Sequence, residues 1–413
     1  MEKHTDILHC DANNFYASVE CCKEPSLKGK NIAVSGDPKK RHGIILAKSD
    51  GAKSLGVKTG DTVREALQKC PDLILLPPDF ESYKYYSNKL YEIYTSYTDR
   101  VESFGLDECW LDVKGSHKLF GESEHIAEEI RRRAREDLGL TLSVGISFTK
   151  VFAKLGSDMK KPDAQTVIDE NNFRKITWKL PVEDILMVGK NATKYFHNVG
   201  ILTIGDLAKA DPILLKNRIG KMGITLIEWA NGIEDDPVKY YYEKRHPESV
   251  GNGATTTKDL VRNEECNTFI TSLAERVATR LRRYSMRACG VSLTIKYNNM
   301  TTIGKQCKCV YPTASASDLT DYAMKLFNTM WHEGISLPIR AITITAIYLL
   351  NSKDFTQSTL FEEEESSDKN TRLENSIDKI RAKYGNASII RGNLIKEIFD
   401  EDDYDKESKP FRH

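Results

Sequence analysis

The chain has no run of eighteen apolar residues anywhere in its 413, so no segment of it reads as a membrane-spanning helix. Met1 to Thr5 is charged and polar with no apolar stretch behind it, so we expect no secretory signal, no membrane attachment and a cytoplasmic protein. Among the nine cysteines there is no Cys-x-x-Cys pair and no Cys/His grouping with zinc spacing, which argues against a structural zinc site and for reduced thiols. Cys307 and Cys309, one residue apart, read as alternating across a strand. Solenoid repeats are absent as well. So is net charge: 60 Lys and Arg face 60 Asp and Glu, on its face an argument against a nucleic-acid binder.

What is there corrects that last impression. Hydrophobic residues at 40% and charged residues at 29% describe a globular chain, long enough for roughly two to four domains. The charge is also unevenly placed. Residues 245–350 carry 13 Lys and Arg against 8 Asp and Glu, and 351–413 carry 11 against 15, so a basic segment precedes an acidic tail.

Periodicity predicts an α+β, multidomain protein. Strands at Ile7 to Cys10, Val101 to Phe104, Cys109 to Val113 and Leu142 to Ile146, with helices at Asn14 to Cys22 and Ser123 to Leu138, give the ferredoxin-like βαββαβ order. A Gly- and Lys-rich insert over 25–78 interrupts it. From Pro181 to about Asp236 the pattern turns helical and is broken at Met187-Val-Gly189-Lys190-Asn and Ile219-Gly220-Lys221-Met-Gly223. These read as helix-hairpin-helix turns offering amides to a phosphate, although an ordinary helical hairpin carries the same pattern. Residues 249–350 repeat the strand and helix alternation. Their first helix, Cys266 to Tyr284, sets Phe269, Leu273, Val277 and Leu281 on one face and begins a stripe of Arg276, Arg280, Arg283 and Arg287, which is either a solvated face or a set of phosphate contacts.

Asp11 ends the first strand, and Asp107 and Glu108 sit between two strands of a hairpin. A turn can re-aim one of two neighbouring side chains, so three carboxylates can converge. Such a cluster repels itself unless it holds hard cations, and oxygen ligands point to Mg²⁺. Two ions would clamp the attacking and leaving oxygens of a phosphoryl transfer.

Cys10-Asp11-Ala12-Asn13-Asn14-Phe15-Tyr16-Ala17-Ser18-Val19-Glu20, Leu106-Asp107-Glu108-Cys109-Trp110-Leu111-Asp112, Ser143-Val-Gly145-Ile-Ser147 and Lys150-Val-Phe-Ala-Lys154-Leu-Gly-Ser-Asp158-Met-Lys160-Lys161-Pro162 resemble the signature segments of Y-family translesion DNA polymerases, in order along residues 5 to 350. The resemblance implies a right-hand polymerase: palm 1–24 and 79–170, inserted fingers 25–78, helix-hairpin-helix thumb 171–244, little finger 245–350, and a tether and acidic tail 351–413. It implies template-directed, low-fidelity synthesis past damaged bases, on primer-template DNA with a dNTP and two Mg²⁺ ions. One ion would be held by Asp11, Asp107 and the carbonyl of Ala12, the other by Asp11, Asp107 and Glu108. Tyr16 matches the steric gate that excludes a ribose 2′-hydroxyl. Lys53 and Lys161, with the amides of Asn14, Phe15 and Tyr16, match the groups that meet the triphosphate. Gly189, Lys190, Gly220, Lys221 and the Arg stripe are then expected on the DNA.

Two stretches depart from the commonest pattern. Leu46 to Lys53 has Ala47, Asp50 and Lys53 where polymerase IV types usually have a hydroxyl residue, Tyr and Arg, and looks more like the UmuC branch; Lys48 is a candidate compensating cation. Met187 stands where the first hairpin usually has Gly. Gln357-x-x-Leu360-Phe361 resembles a sliding-clamp-binding peptide, which makes the clamp a third partner of an expected monomer. Two other readings compete: a catalytically weak DNA- and clamp-binding scaffold, and a nucleotide cyclase that leaves the thumb, basic domain and peptide without a role.

Overall fold

The computed structural model describes residues 6–38, 41, 43–243, 247–352, 364–385 and 388–389, with side chains from 373 onward in the last helix. The described chain forms two compact units, one running to Gly36 and from Ile44 to Glu243, the other comprising Asp37–Gly43 and the residues after Lys244.

The first unit opens with β1 (Ile7–Ala12) and α1 (Phe15–Lys23), then a small sheet of β2 (Ile32–Ser35), β3 (Ile45–Lys48) and β4 (Ile74–Leu76) with α2 (Asp50–Ser54) and α3 (Val63–Lys69). The chain returns through α4 (Phe80–Thr95), β5 (Val101–Ser103), β6 (Glu108–Asp112), α5 (His117–Phe120), α6 (Ser123–Leu138), β7 (Leu142–Ser147), α7 (Lys150–Met159) and β8 (Gln165–Ile168). These strands order β5-β6-β1-β7-β8, with β1 antiparallel to both β6 and β7. The βαββαβ core therefore stands as the periodicity predicted, extended by β8. Leu8, Cys10, Leu111, Val144 and Ile146 join Leu90, Ile93, Ile126 and Ile130 of α4 and α6 in a buried core on one face.

The other face receives α7, and two features fix it there. Gly145 lies under the helix so closely that a Cβ would meet the carbonyl of Ala153 at 1.8 Å. At the helix start Thr149 caps the amide of Phe152, Glu234 accepts from the amides of Lys150 (2.6 Å) and Val151 (3.3 Å), and the buried Lys150 Nζ meets Glu102 at 3.2 Å and Asp236.

The helical stretch that follows contains α8 (Phe173–Thr177), α9 (Lys190–Asn198), α10 (Ile204–Ala208), α11 (Pro212–Ile219) and α12 (Lys221–Ala230), packed around Phe196, Ile204, Leu207, Leu215 and Leu226. Gly220, at φ 75, turns the chain between α11 and α12. Met187 takes φ 69 with its side chain 60% exposed, a left-handed backbone that Gly adopts without a Cβ penalty. Met187→Gly should therefore raise stability by about 1 kcal/mol, less the added chain entropy of the unfolded state, read as an increased midpoint in urea unfolding with an unchanged m value.

The second unit is a four-stranded antiparallel sheet ordered β11-β10-β12-β9, built from β9 (Val250–Leu260), β10 (Met286–Tyr297), β11 (Thr302–Thr313) and β12 (Ile339–Asn351). On one face lie α13 (Asn263–Arg283) and α14 (Ala316–Asn328), burying Phe269, Leu273, Val277, Leu281, Phe327 and Trp331 against Val291, Leu293, Ile295, Ile342 and Ile344. Cys307 and Cys309 both pack against that core, because residues two apart on a strand share a face; the expectation that they alternate across the strand is wrong. All nine cysteines are free. A last helix, α15 (Glu364–Tyr384), lies along α13, where Arg282 meets Asp378 at 2.6 Å and Glu374 at 2.6 Å. No helix among the described residues is long and apolar enough to cross a membrane.

Candidate active site

Strand register assembles the site. Asp11 lies opposite Glu108 across the β1–β6 pair, and His9 lies opposite Trp110, so all four side chains share the face covered by α7. Lys154, one turn into α7, reaches Glu108 at 2.7 Å, Asp11 at 3.3 Å and Asp158 at 3.2 Å. Lys161, just beyond the helix, reaches Asp11 at 2.9 Å and Asp158 at 2.8 Å. Two ammonium groups thus offset a carboxylate cluster.

Asp107 differs from its neighbour. Its backbone carbonyl accepts from the Ala12 amide at 3.0 Å, which ties the hairpin to the end of β1. Burial, then the nearby Glu108 and Asp11 charges, push its carboxyl up to about 6. Glu108 goes the other way: burial raises it, but the contact with His9 and the charge of Lys154 outweigh that and hold it near 2. Burial lowers the Lys154 ammonium, but the charges of Glu108 and Asp11 outweigh it and raise the group.

Sequence reasoning passed over two of these groups. His9 is fully buried, with Nδ1 2.9 Å from the Ser157 hydroxyl, Nε2 3.2 Å from Glu108 Oε2 and its ring edge-on to Trp110 at 5.2 Å. Its place two residues before Asp11, on the same strand face, was the available signal. Lys154 belongs to the segment Lys150 to Pro162 but carried no expected role, and its spacing of four from Asp158 puts those two on one face of α7, with Lys161 just past the helix end. Among the described residues, His9, Asp11 and Glu108 offer ligand atoms within 4.8 Å of one another; the Asp107 carboxylate is not in that group.

Tyr16 stands beside the carboxylates in the first turn of α1. Its ring stacks on Tyr83 at 4.2 Å and 13°, and meets Phe80 edge-on at 6.0 Å. Tyr83 donates to buried Glu20 at 2.7 Å, so the stack has a fixed base. Burial, then the Asp107 charge, raise the Tyr16 phenol, which stays neutral. Asn14, in the left-handed region at φ 49, precedes the helix and leaves the first amides of α1 without a side-chain cap. Its amide donates to Asp50 at 2.9 Å, the position that departs from the commonest pattern. Lys48 donates to Thr59 at 3.0 Å, and Lys53 lies on α2, whose cap is Ser49.

The expected DNA contacts are more scattered. Gly189 precedes α9 and Gly220 precedes α12, with Lys190 and Lys221 as the first helical residues. In the second unit Arg280 donates to the Gly251 carbonyl at 2.8 Å and Arg287 to that of Ser352 at 3.2 Å, while Arg276 and Arg283 flank a cleft of about 440 Å³ against α15. The sheet face away from α13 and α14 is polar, and carries Lys296, Gln306 and Lys308, all exposed. Gln357, Leu360 and Phe361 lie outside the described residues.

Comparison with known proteins agrees with this geometry. Residues 10–158 match the impB/mucB/samB family, and residues 247–360 match that family's C-terminal domain. A protein of Acetivibrio thermocellus named DNA polymerase IV is 44% identical over 391 residues, covering 95% of this chain and 98% of that one. One of Halalkalibacterium halodurans named DNA polymerase IV 1 is 36% identical, covering 96% of each. A solved Y-family DNA polymerase chimera shares the fold at a TM-score of 0.73, with 20% identity over 83% of this chain and 99% of its own. Both named relatives carry the polymerase IV name, so the likeness of Leu46 to Lys53 to the UmuC branch stays local. With both family domains matched and relatives named DNA polymerase IV similar along nearly their whole length, the chain belongs to the impB/mucB/samB family of DNA polymerases.

Proposed function

We propose that the chain copies damaged templates by adding dNMP from dNTP to a primer 3′-hydroxyl, in the cytoplasm. It is a DNA-directed DNA polymerase of the low-fidelity, translesion type and depends on a divalent cation. The observation that carries the site assignment is the convergence of Asp11 and Glu108 across the β1–β6 register, with Asp107 at the adjoining turn. The donor set fits Mg²⁺: hard carboxylate oxygens, partly buried, whose charge needs cations. Asp11, Asp107 and the Ala12 carbonyl would hold one ion and Asp11, Asp107 and Glu108 the second, and the pair would supply Lewis-acid stabilisation of the phosphoryl oxygens. His9 and Lys154 orient Glu108. Tyr16 closes the sugar side, and Lys53, Lys161 and the amides of Asn14, Phe15 and Tyr16 meet the triphosphate.

The small sheet within 32–76 supports 25–78 as fingers, and α9 to α12 support 171–244 as thumb, with 1–24 and 79–170 as palm and 245–350 as little finger. The thumb turns at Gly189-Lys190 and Gly220-Lys221 meet DNA phosphates. A monomer linked to the sliding clamp through Gln357, Leu360 and Phe361 completes the reading. Primer extension with Mg²⁺ and a deoxynucleotide on an undamaged template tests it: no extension would leave the scaffold reading standing.

The cations of the second unit divide into the Arg276 and Arg283 pair beside α15 and the Lys296 and Lys308 pair on the open sheet face. Neutralising a pair that sits on phosphates should lower the steepness of log K against log salt by roughly 0.9 per charge. Measuring primer-template affinity between low and physiological salt for Arg276→Gln/Arg283→Gln and for Lys296→Gln/Lys308→Gln decides which pair it is. An unchanged slope for the arginine variant assigns that stripe to helix packing.

A further inference from the structure

Lys161 sits on the short connection between α7 and β8; its nitrogen pairs with Asp11 at 2.9 Å and Asp158 at 2.8 Å, but neither contact holds the backbone that carries the side chain. Two residues on, Asp163 is held from three sides. Its amide donates to Asn13 Oδ1 at 2.9 Å. Its carbonyl and one carboxylate oxygen accept from Arg131, at 2.5 and 3.0 Å, and the other carboxylate oxygen accepts from Arg135 at 2.5 Å. Arg131 is buried on α6, and Asn13 is buried with its amide donating to Ser143 at 2.8 Å, so both anchors belong to the rigid sheet-and-helix body. Asp163 also adopts φ 48, a left-handed backbone that Asp takes more readily than most non-Gly residues and that the three contacts hold in place.

The contacts run in register. Asp11 pairs with Lys161 at 2.9 Å, and two residues further along each segment Asn13 bonds Asp163 at 2.9 Å. The end of β1 and the lysine-bearing connection are thus stitched twice, once through charge in the site and once through a buried amide outside it. Only the first stitch is open to exchange when a triphosphate arrives and Lys161 turns to its oxygens; the second keeps the connection in place.

We propose that Asp163, clamped by Asn13, Arg131 and Arg135, is a positioning residue that sets Lys161 for triphosphate capture, an inference that rests on reading Lys161 as a triphosphate contact. Its role is to hold the backbone so that Lys161 meets the nucleotide without a search through loop conformations.

Single-nucleotide incorporation kinetics on the full chain test this. Asp163→Gly keeps the left-handed backbone but removes both carboxylate contacts, and should raise the KM for dNTP about tenfold with kcat changed less than about twofold. Asp163→Asn, which keeps one acceptor, should fall between that variant and the unaltered protein. Lys161→Ala should raise the KM as well, and adding Asp163→Gly to it should raise the KM no further, since a residue acting through Lys161 has nothing left to position. Full additivity, or an Asp163→Gly variant with an unaltered KM, overturns the proposal while leaving Lys161 in its role. A Lys161→Ala variant with an unaltered KM overturns the triphosphate reading and the proposal together. Arg135→Gln, which removes only the more exposed arm of the clamp, gives a smaller rise in the same direction and serves if Asp163→Gly does not fold; no rise there counts against the clamp.

Discussion

Asp107→Ala and Glu108→Gln should each reduce primer extension by at least about 10³-fold, several kcal/mol of lost charge stabilisation at the reacting phosphate, while primer-template affinity should stay within about twofold. Glu108→Gln is the sharper of the two because it keeps the side-chain volume and an oxygen for Lys154, so a loss of activity cannot be ascribed to a collapsed site. Lys154 also retains Asp11 at 3.3 Å and Asp158 at 3.2 Å, which limits the charge left unpaired. DNA is gripped through the thumb and little finger in this scheme, hence the expected separation of binding from chemistry. Gel-based extension and fluorescence anisotropy on the same preparations measure both quantities. Substantial extension by both variants would sink the two-metal assignment.

Tyr16→Ala admits ribonucleotides. Forcing a 2′-hydroxyl against a well-packed ring costs about 1–3 kcal/mol, so the ratio of deoxy- to ribonucleotide incorporation should drop roughly ten- to hundredfold when the ring is removed. The space vacated persists, since Tyr83 beneath it is anchored on Glu20 and braced by Phe80 at 5.8 Å. Competition between labelled dNTP and rNTP reads the ratio directly. If it does not move, another residue is the gate.

Much of the palm was legible because its elements are buried on a regular period. The run Ile7 to Cys10 announces β1, and the apolar positions Ile126, Ala127, Ile130 and Ala134 announce α6, each a pattern that one face of a core imposes. β9 was not among the strands named from the pattern, for the opposite reason. Its Gly251 and Gly253 give way to the Thr345 and Thr343 side chains of β12, and glycines carry no apolar alternation to mark a strand. In the site, Asp11, Asp107 and Glu108 are adjacent to recognisable segments. The spacing of His9 from Asp11 was a signal, but its partners and the clamp around Asp163 were not legible, because Ser157, Glu108, Arg131 and Arg135 come from distant segments that only the folded sheet brings together. The Arg stripe was legible only in part: a helical wheel aligns its members, but Arg287 stands on β10 beyond the end of α13, and Arg280 and Arg287 each donate to a backbone carbonyl while Arg276 and Arg283 flank the cleft beside α15.

The lysines that sit among the carboxylates change what cation loading means for this fold. A cluster of bare acids would make the folded state hostage to its ions, unfolding on chelation as a zinc finger does. Here Lys154 and Lys161 act as resident counter-ions, so a divalent cation entering the cluster would displace positive charge instead of adding it to an empty field. On that reading, loading would be an exchange of counter-ions, and the carboxylate cluster needs no bound ion to be charge-compensated in the folded chain.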